Sequence, residues 1–373
     1  MKIISDDKIP FLHGVFEQYN IETVYKKGAD ITRSDLIDCD ALIVRTRTQC
    51  DHELLHDTSI KAVATATIGT DHVKINEIEK LGIAFFSAPG CNAMSVQQYI
   101  ICALLRLAEK HNIQLSGKTI GIIGAGHVGS AVEQACRIMN MNVLLNDPPR
   151  AAAEGAEKFT ALDELLAKSD FVTMHVPLDE TTHYLADDAF FKRMKKTSFF
   201  INSSRGSVCK NADLKNALKN KIIAGAVLDV WENEPHIDRE LQNMLELGTM
   251  HIAGYSADGK ANGTTQSVRN IASVLNIPPL KTFKVNELRP GNTVPFPVPP
   301  LEPQQALTFA AFKSYDIQRD SDDLLLHPEN FEKLRGDYHY RREFNGWTLD
   351  VSSISPESAE LLKKMNFNTG DEK

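Results

Sequence analysis

Three residues set the chemistry that this sequence could perform: Arg205 in Asn-Ser-Ser-Arg205, Glu234 in Asp-Val-Trp-Glu-Asn-Glu234-Pro, and His251 in His251-Ile-Ala-Gly-Tyr. A guanidinium can hold a carboxylate through two parallel hydrogen bonds and polarise the oxygen beside it. A histidine can take a hydroxyl proton as a general base. A carboxylate next to that histidine orients the ring and stabilises imidazolium. Together the three suit oxidation of an α-hydroxy acid, with a hydride leaving for a nicotinamide as the hydroxyl proton leaves for the imidazole.

A site for that nicotinamide is written between Thr119 and Asp147. Thr119 to Ile123 reads as a buried strand. Gly124-Ala-Gly126-His127-Val128-Gly129 then reads as a tight turn whose backbone N–H groups can approach a pyrophosphate at a helix N-terminus. Val128, Ala131, Val132, Ala135, Ile138 and Met139 fall at helical spacing, and Met141 to Leu145 form a second buried run. Asp147, roughly 20 residues beyond the glycines, suits a carboxylate that accepts the ribose 2′-hydroxyl and repels a 2′-phosphate, which favours NAD over NADP. Later apolar runs, Phe171 to Val176, Ser198 to Asn202 and Ile222 to Leu228, place His175, Val176, Asn202, Ser203, Ser204, Arg205 and Asp229 at strand ends. In a doubly wound sheet those ends face the cofactor.

The elements ahead of this region repeat the same alternation. Lys2 to Ser5, Glu22 to Tyr25, Ala41 to Arg45 and Ala62 to Ala66 are β-like runs separated by helix-compatible stretches, so a first α/β domain is expected over residues 1–95. Its strand ends carry Arg45-Thr46-Arg47 and Thr65 to Thr70, groups that suit a carboxylate or phosphate. Lys260 is a further candidate cation. A long amphipathic helix from about Ser95 leads into the dinucleotide region. Pro290 to Pro303 is proline-rich and stiff. The residues after it include a helix-like stretch from Phe331, a strand near Trp347 to Val351 and a helix near Pro356 to Met365. They are too few to bury a generous core alone, so a second subunit is expected to supply burial.

Composition limits the alternatives. The 373 residues are 42% hydrophobic and 24% charged, as in ordinary globular enzymes, and the net charge of −8 argues against nucleic acid as a partner. The six cysteines show neither a CxxC pair nor zinc spacing with histidine, so no metal is expected and buried thiols in a reducing compartment are. Met-Lys-Ile-Ile-Ser-Asp-Asp lacks the apolar core of a signal peptide. No run nears the roughly 20 apolar residues that span a bilayer, so a cytoplasmic protein without membrane contact is expected.

Taken in order, GIIGAGHVGS from Gly121, HVPL from His175, FINSSRGS from Phe200, AGAVLDVWENEP from Ala224 and HIAGY from His251 resemble the D-isomer-specific 2-hydroxyacid dehydrogenase family. The resemblance implies two doubly wound parallel-sheet domains of Rossmann and flavodoxin-like type, with the active site between them. It also implies that Arg205, Glu234 and His251 are the catalytic set. Gln98 departs from the glutamate that much of the family carries there. A narrower likeness, to a branch acting on a phosphorylated hydroxy acid in pyridoxal 5′-phosphate biosynthesis, rests on TATIGTDHV from Thr65, APGCNA from Ala88, NDPPRA from Asn146 and HIAGYSADGKANGTTQ from His251. YDIQRD from Tyr315 and FEKLRGDYHYRREF from Phe331 extend it into the C-terminal region.

That likeness implies substrate contacts at Thr46, Thr67 and Tyr255, NAD contacts at Asp147, Asp229 and Gly254, and a homodimer formed through a small C-terminal α+β domain. The expected division is 1–95 with about 256–280 for substrate, 96–255 for NAD and 281–373 for dimerisation. The phosphate calls for cations, with Arg45, Arg47 and Lys260 as candidates. Two other readings stay open: a dehydrogenase of another phosphorylated acid such as 3-phosphoglycerate, and a non-enzymatic NAD-sensing corepressor.

Overall fold

The computed structural model describes residues 1–286 and 288–370. The chain forms two compact units, Met1–Asn92 with Ser256–Leu288, and Ala93–Tyr255 with Arg289–Lys373.

The first unit is built on a parallel sheet of β1 (Lys2–Asp6), β2 (Glu22–Lys26), β3 (Ala41–Val44), β4 (Ala62–Thr65) and β5 (Ala84–Phe86), in the order β2-β1-β3-β4-β5. Every residue of β3 and β4 is buried, as expected of parallel strands covered on both faces. Side chains alternate across the sheet. Ile3, Ala41, Ile43, Ala62 and Ala64 pack on one side with Val268, Ile271 and Ala272 of the helix Ala257–Val274. Ile4, Leu42, Val44 and Val63 pack on the other with Leu36, Leu55 and Ile78. The strand order reverses between β1 and β3. Ligands of open α/β sheets bind beyond such a point, and here it is flanked by Asp6 and Arg45.

The second unit holds a six-stranded parallel sheet of β6 (Thr119–Ile123), β7 (Asn142–Asn146), β8 (Phe171–Met174), β9 (Phe199–Asn202), β10 (Gly225–Leu228) and β11 (Leu247–Gly248), ordered β11-β10-β9-β8-β6-β7. Its reversal lies between β6 and β8. Ile120, Ile122 and Ile123 of β6 are at most 2% exposed, and each such side chain contributes roughly 1.5–3 kcal/mol when buried.

The helix Ala93–His111 is buried beyond the single apolar side that its sequence suggests, since Ile101, Cys102 and Leu105 are covered as well. The cause is the C-terminal segment. Its helices Pro303–Ser314 and Ile317–Leu326 pack on this long helix, and Leu307, Ala310, Ala311 and Tyr315 share a core cluster with Ile120, Ile122 and Phe171. A segment this short borrows its core from its neighbour within the unit. A two-stranded parallel pair, β12 (Phe296–Pro297) with β13 (Leu349–Asp350), and the helix Pro356–Lys364 complete it. Among the described residues, no helix is long and apolar enough to cross a membrane, and no group of three or more His, Cys, Asp or Glu is placed to hold a metal ion.

Candidate active site

The C-terminal ends of the second sheet carry the predicted residues in spatial sequence: Asp147 after β7, the glycine turn after β6, His175 and Val176 after β8, Ser203 to Arg205 after β9, Asp229 after β10 and His251 shortly after β11. In the glycine turn, Gly124 has φ +86, and a Cβ on it would sit 2.5 Å from the His175 carbonyl oxygen. A Cβ on Gly129 would lie 2.0 Å from the Gly124 carbonyl oxygen, so only glycine lets the helix His127–Ile138 start so close to β6. Gly126 differs from both. A Cβ there would meet nothing within 4 Å, which leaves its backbone open to a pyrophosphate at the helix N-terminus, beside His127 and Val128.

Asp147 caps the next helix by accepting from Arg150 N at 3.1 Å, and its other oxygen accepts from Ala125 N at 2.8 Å. Each carboxylate oxygen keeps a further lone pair for a ribose hydroxyl. The buried Ser203 hydroxyl has no hydrogen-bond partner among the described residues and can serve a ligand. Burial pushes the His175 imidazole down to about 3, so the ring is neutral over the working range. These features fit NAD. Asp147→Ala is expected to raise the NADP-to-NAD ratio of kcat/KM by about tenfold, the equivalent of about 1.4 kcal/mol. Steady-state kinetics with both nucleotides would check this, and an unchanged ratio would remove Asp147 as the ribose ligand.

The catalytic candidates follow β9 to β11. Arg205 is half-buried, and its Nη1 donates to the Ser204 carbonyl at 2.8 Å, which fixes the fork. Asn202, expected only as a strand-end residue facing the cofactor, builds that turn: its amide donates to the Arg205 carbonyl at 3.0 Å and its Oδ1 accepts from both Ser204 N and Ser204 Oγ. An asparagine ending a strand before Ser-Ser-Arg was the available signal.

Glu234 and His251 meet at 2.8 Å through Oε2 and Nδ1, and Glu234 Oε1 accepts from Trp231 N at 2.9 Å. The other ring nitrogen is thereby left for chemistry, with 28% of the His251 side chain exposed. Burial pushes the Glu234 carboxyl up, but its bond to His251, the Trp231 N–H and the nearby Arg335 outweigh that and hold it below its ordinary value. A carboxyl depressed by folding contributes stability that is complete above its unfolded value, about 4.3, and lost as pH falls through the folded one. Glu234 is therefore an anion at neutral pH. Glu234→Gln keeps the shape and removes the anion beside His251, so kcat for oxidation is expected to fall by about tenfold. Initial rates equal to wild type would separate Glu234 from the acid–base step.

His251 itself has φ +59, a left-handed conformation that costs a non-glycine residue roughly 1–2 kcal/mol. Asp229, 1% exposed, helps to hold it there. One carboxylate oxygen accepts from Thr249 Oγ1 at 2.6 Å and Ile252 N at 2.8 Å, and the other accepts from Ala253 N at 2.9 Å. Asp229, predicted to touch NAD, is thus the anchor of the His251 turn, which continues into Gly254. Tyr255 packs edge-on against Tyr338 and Tyr340, with the Arg335 guanidinium 5.8 Å from its ring.

In the first unit, β3 and β4 are neighbours, which sets Arg45, Thr46 and Arg47 beside Thr67. Arg45 Nη2 meets the buried Asp6 at 3.1 Å, while Arg45 Nε and Asp6 Oδ2 are buried without hydrogen-bond partners among the described residues. Thr46 and Arg47 are exposed. Thr67 Oγ1 pairs with Thr65 Oγ1 at 2.8 Å and with the Gly69 carbonyl at 3.0 Å. Lys260 lies in the first turn of the Ala257–Val274 helix, which packs on β4.

Comparison with known proteins agrees with this arrangement. Residues 98–253 match the D-isomer specific 2-hydroxyacid dehydrogenase, NAD binding domain. Erythronate-4-phosphate dehydrogenase of Bacteroides thetaiotaomicron is 44% identical over 353 residues, covering 94% of this chain and 99% of that protein. The protein of the same name from Yersinia pestis is 37% identical, with 99% of both chains covered. In fold, the structure of D-lactate dehydrogenase from Aquifex aeolicus with NAD and lactic acid superposes with a TM-score of 0.62 at 23% identity, over 77% of this chain and all of that one. The chain belongs to the D-isomer-specific 2-hydroxyacid dehydrogenase family, within the branch that holds these erythronate-4-phosphate dehydrogenases. It is an NAD-dependent oxidoreductase, and its second unit carries the NAD-binding domain.

Proposed function

We propose that this chain oxidises 4-phospho-D-erythronate to (3R)-3-hydroxy-2-oxo-4-phosphobutanoate with NAD, in pyridoxal 5′-phosphate biosynthesis. The observation that carries the reading is the 2.8 Å contact between Glu234 and His251, in a chain whose relatives of that name match it from end to end. Gly124, Gly126, Gly129, Asp147, Ser203 and Ser204 would hold NAD, with His127, Val128, His175, Val176, Asp229 and Gly254 around it. When bound, NAD supplies the hydride acceptor.

The chain's own groups do the rest. Arg205 binds the C1 carboxylate and draws electron density from the C2 oxygen. His251 takes the C2 hydroxyl proton through Nε2, and Glu234 holds the ring by Nδ1 and balances the imidazolium that forms. Thr46, Thr67 and Tyr255 contact the substrate, and Arg45, Arg47 and Lys260 draw the phosphate. The Asp6 carboxylate offsets part of the Arg45 charge but also fixes its guanidinium.

NAD reduction with 4-phosphoerythronate, 3-phosphoglycerate and unphosphorylated erythronate, measured side by side, tests the proposal. The first acid should give the highest kcat/KM, and a preference for either of the others would overturn it. No hydride transfer with any acid would favour the NAD-sensing reading.

Two features support the assembly and compartment that we assign. A groove of about 1300 Å³ lined partly by Leu301, Phe309, Phe312 and Leu361 of the C-terminal segment offers a surface for a second copy, so we assign a homodimer through this segment; sedimentation as a monomer at micromolar concentration would refute it. The six cysteines are buried and none is in a disulfide, which suits the reducing cytoplasm.

A further inference from the structure

Arg341 of the C-terminal segment reaches the backbone of the turn that follows the catalytic histidine. Arg341 is 7% exposed, and its guanidinium is spent on neutral acceptors. Nη1 donates to the carbonyls of Ile252 and Tyr255, each at 3.1 Å, and Nη2 donates to the carbonyl of Ala253 at 2.6 Å and of Ser95 at 3.2 Å. Nε donates to Gln98 Oε1 at 3.0 Å. The planar group lies 4.1 Å from the centre of the Tyr315 ring, and Tyr338, which contacts Nη1 at 3.4 Å, donates to Asp320 at 2.8 Å.

The opposite edge of the same turn is held by Asp229. The peptide units of Ile252 and Ala253 thus give their N–H groups to a buried anion and their carbonyls to a buried cation. His251, immediately before them, has a backbone conformation that a free turn would leave. A buried guanidinium keeps its charge and needs all its donors satisfied, so the turn cannot relax without stranding it.

We propose that Arg341 is a positioning residue of the dehydrogenase: with Asp229 it clamps the 252–255 turn and so fixes His251 Nε2 against the substrate hydroxyl. On this basis the C-terminal segment belongs to the catalytic apparatus. Gln98 follows from the same geometry, because a neutral amide can accept from Arg341 Nε while its own NH2 donates to the Arg342 carbonyl at 3.1 Å. A carboxylate there could not make the second bond. The proposal rests on His251 being the acid–base group.

Arg341→Lys keeps the charge but cannot serve acceptors spread over the 252–255 turn, the helix Ala93–His111 and Tyr338. In the full-length protein it is expected to lower kcat by about a hundredfold while the NADH Kd stays within about twofold, with a larger primary deuterium isotope effect for substrate labelled at C2. Lost folding alone would move neither the isotope effect nor the affinity of the folded fraction. Without any substrate, amide exchange at Ile252 and Ala253 should rise by at least about tenfold, while exchange in β6 and β8 holds. Should the lysine variant fail to fold, Gln98→Met removes one acceptor of Arg341 together with the amide's bond to the Arg342 carbonyl, and a kcat loss of about tenfold in the folded protein is expected. A folded variant with wild-type kcat and unchanged exchange in the turn would overturn the proposal. Wild-type protein that transfers no hydride would instead sink the functional reading, and the exchange experiment would still decide whether Arg341 holds the turn.

Discussion

His251→Ala is expected to lower kcat by about 10³-fold, the equivalent of about 4 kcal/mol, while the NADH Kd stays within about twofold. The size follows from the role proposed for the imidazole. Without it, the C2 hydroxyl proton must leave to water as the hydride departs, and the preorganised Glu234 anion, held at 2.8 Å from the missing ring, has nothing to balance. Cofactor affinity survives because the groups proposed to hold NAD lie at the glycine turn, after β7 and after β9. The backbone of residue 251 still donates to the Asp229 carbonyl. Stopped-flow NADH formation together with fluorescence titration separates the two effects. Turnover within tenfold of wild type would assign the proton to another group.

Arg205→Met is expected to lower kcat/KM by about 10³-fold, with KM raised and kcat lowered together. In the proposed mechanism the guanidinium acts in both states: it binds the ground-state carboxylate and faces the charge that grows on the C2 oxygen. Arg205→Lys should recover only part of the loss, because an ammonium cannot reproduce a planar fork that the Ser204 carbonyl already orients. Initial rates over a matrix of substrate and NAD concentrations would check both variants. A rise in KM alone would reduce Arg205 to a binding group.

The fold was readable because its signals are local. β6 and the helix His127–Ile138 announce themselves by an apolar run, glycines at fixed offsets and helical spacing, and β1 to β4 by short apolar runs. β5 escaped notice because three residues are too few for a period. The helix Ile317–Leu326 is hidden for another reason: its buried face is Ile317, Asp320, Ser321 and Leu324, half of it polar, so the spacing is present but the hydrophobicity is not.

In the site, paired carboxylate and imidazole types suggest their own contact. Asn202 and Arg341 do not, since their partners are mostly backbone carbonyls and amides, which every residue has. Arg341 also lies some ninety positions from the turn it holds. Asp229 could be singled out as a strand-end acid, but whether its oxygens serve a ligand or the protein depends on a turn that only the folded backbone specifies.

The first unit is assembled from two stretches of chain, and Val268, Ile271 and Ala272 in the second stretch complete the core begun by Ile3, Ile43 and Ala64. Synthesis therefore imposes a delay. As the chain leaves the ribosome, the amino-terminal sheet emerges first yet cannot close its apolar face until the helix Ala257–Val274 arrives, after the whole NAD-binding sheet has been made. The nascent amino terminus must wait with Ile3, Ala41 and Ala62 uncovered, which makes the earliest-made part of the protein the stretch most in need of a chaperone.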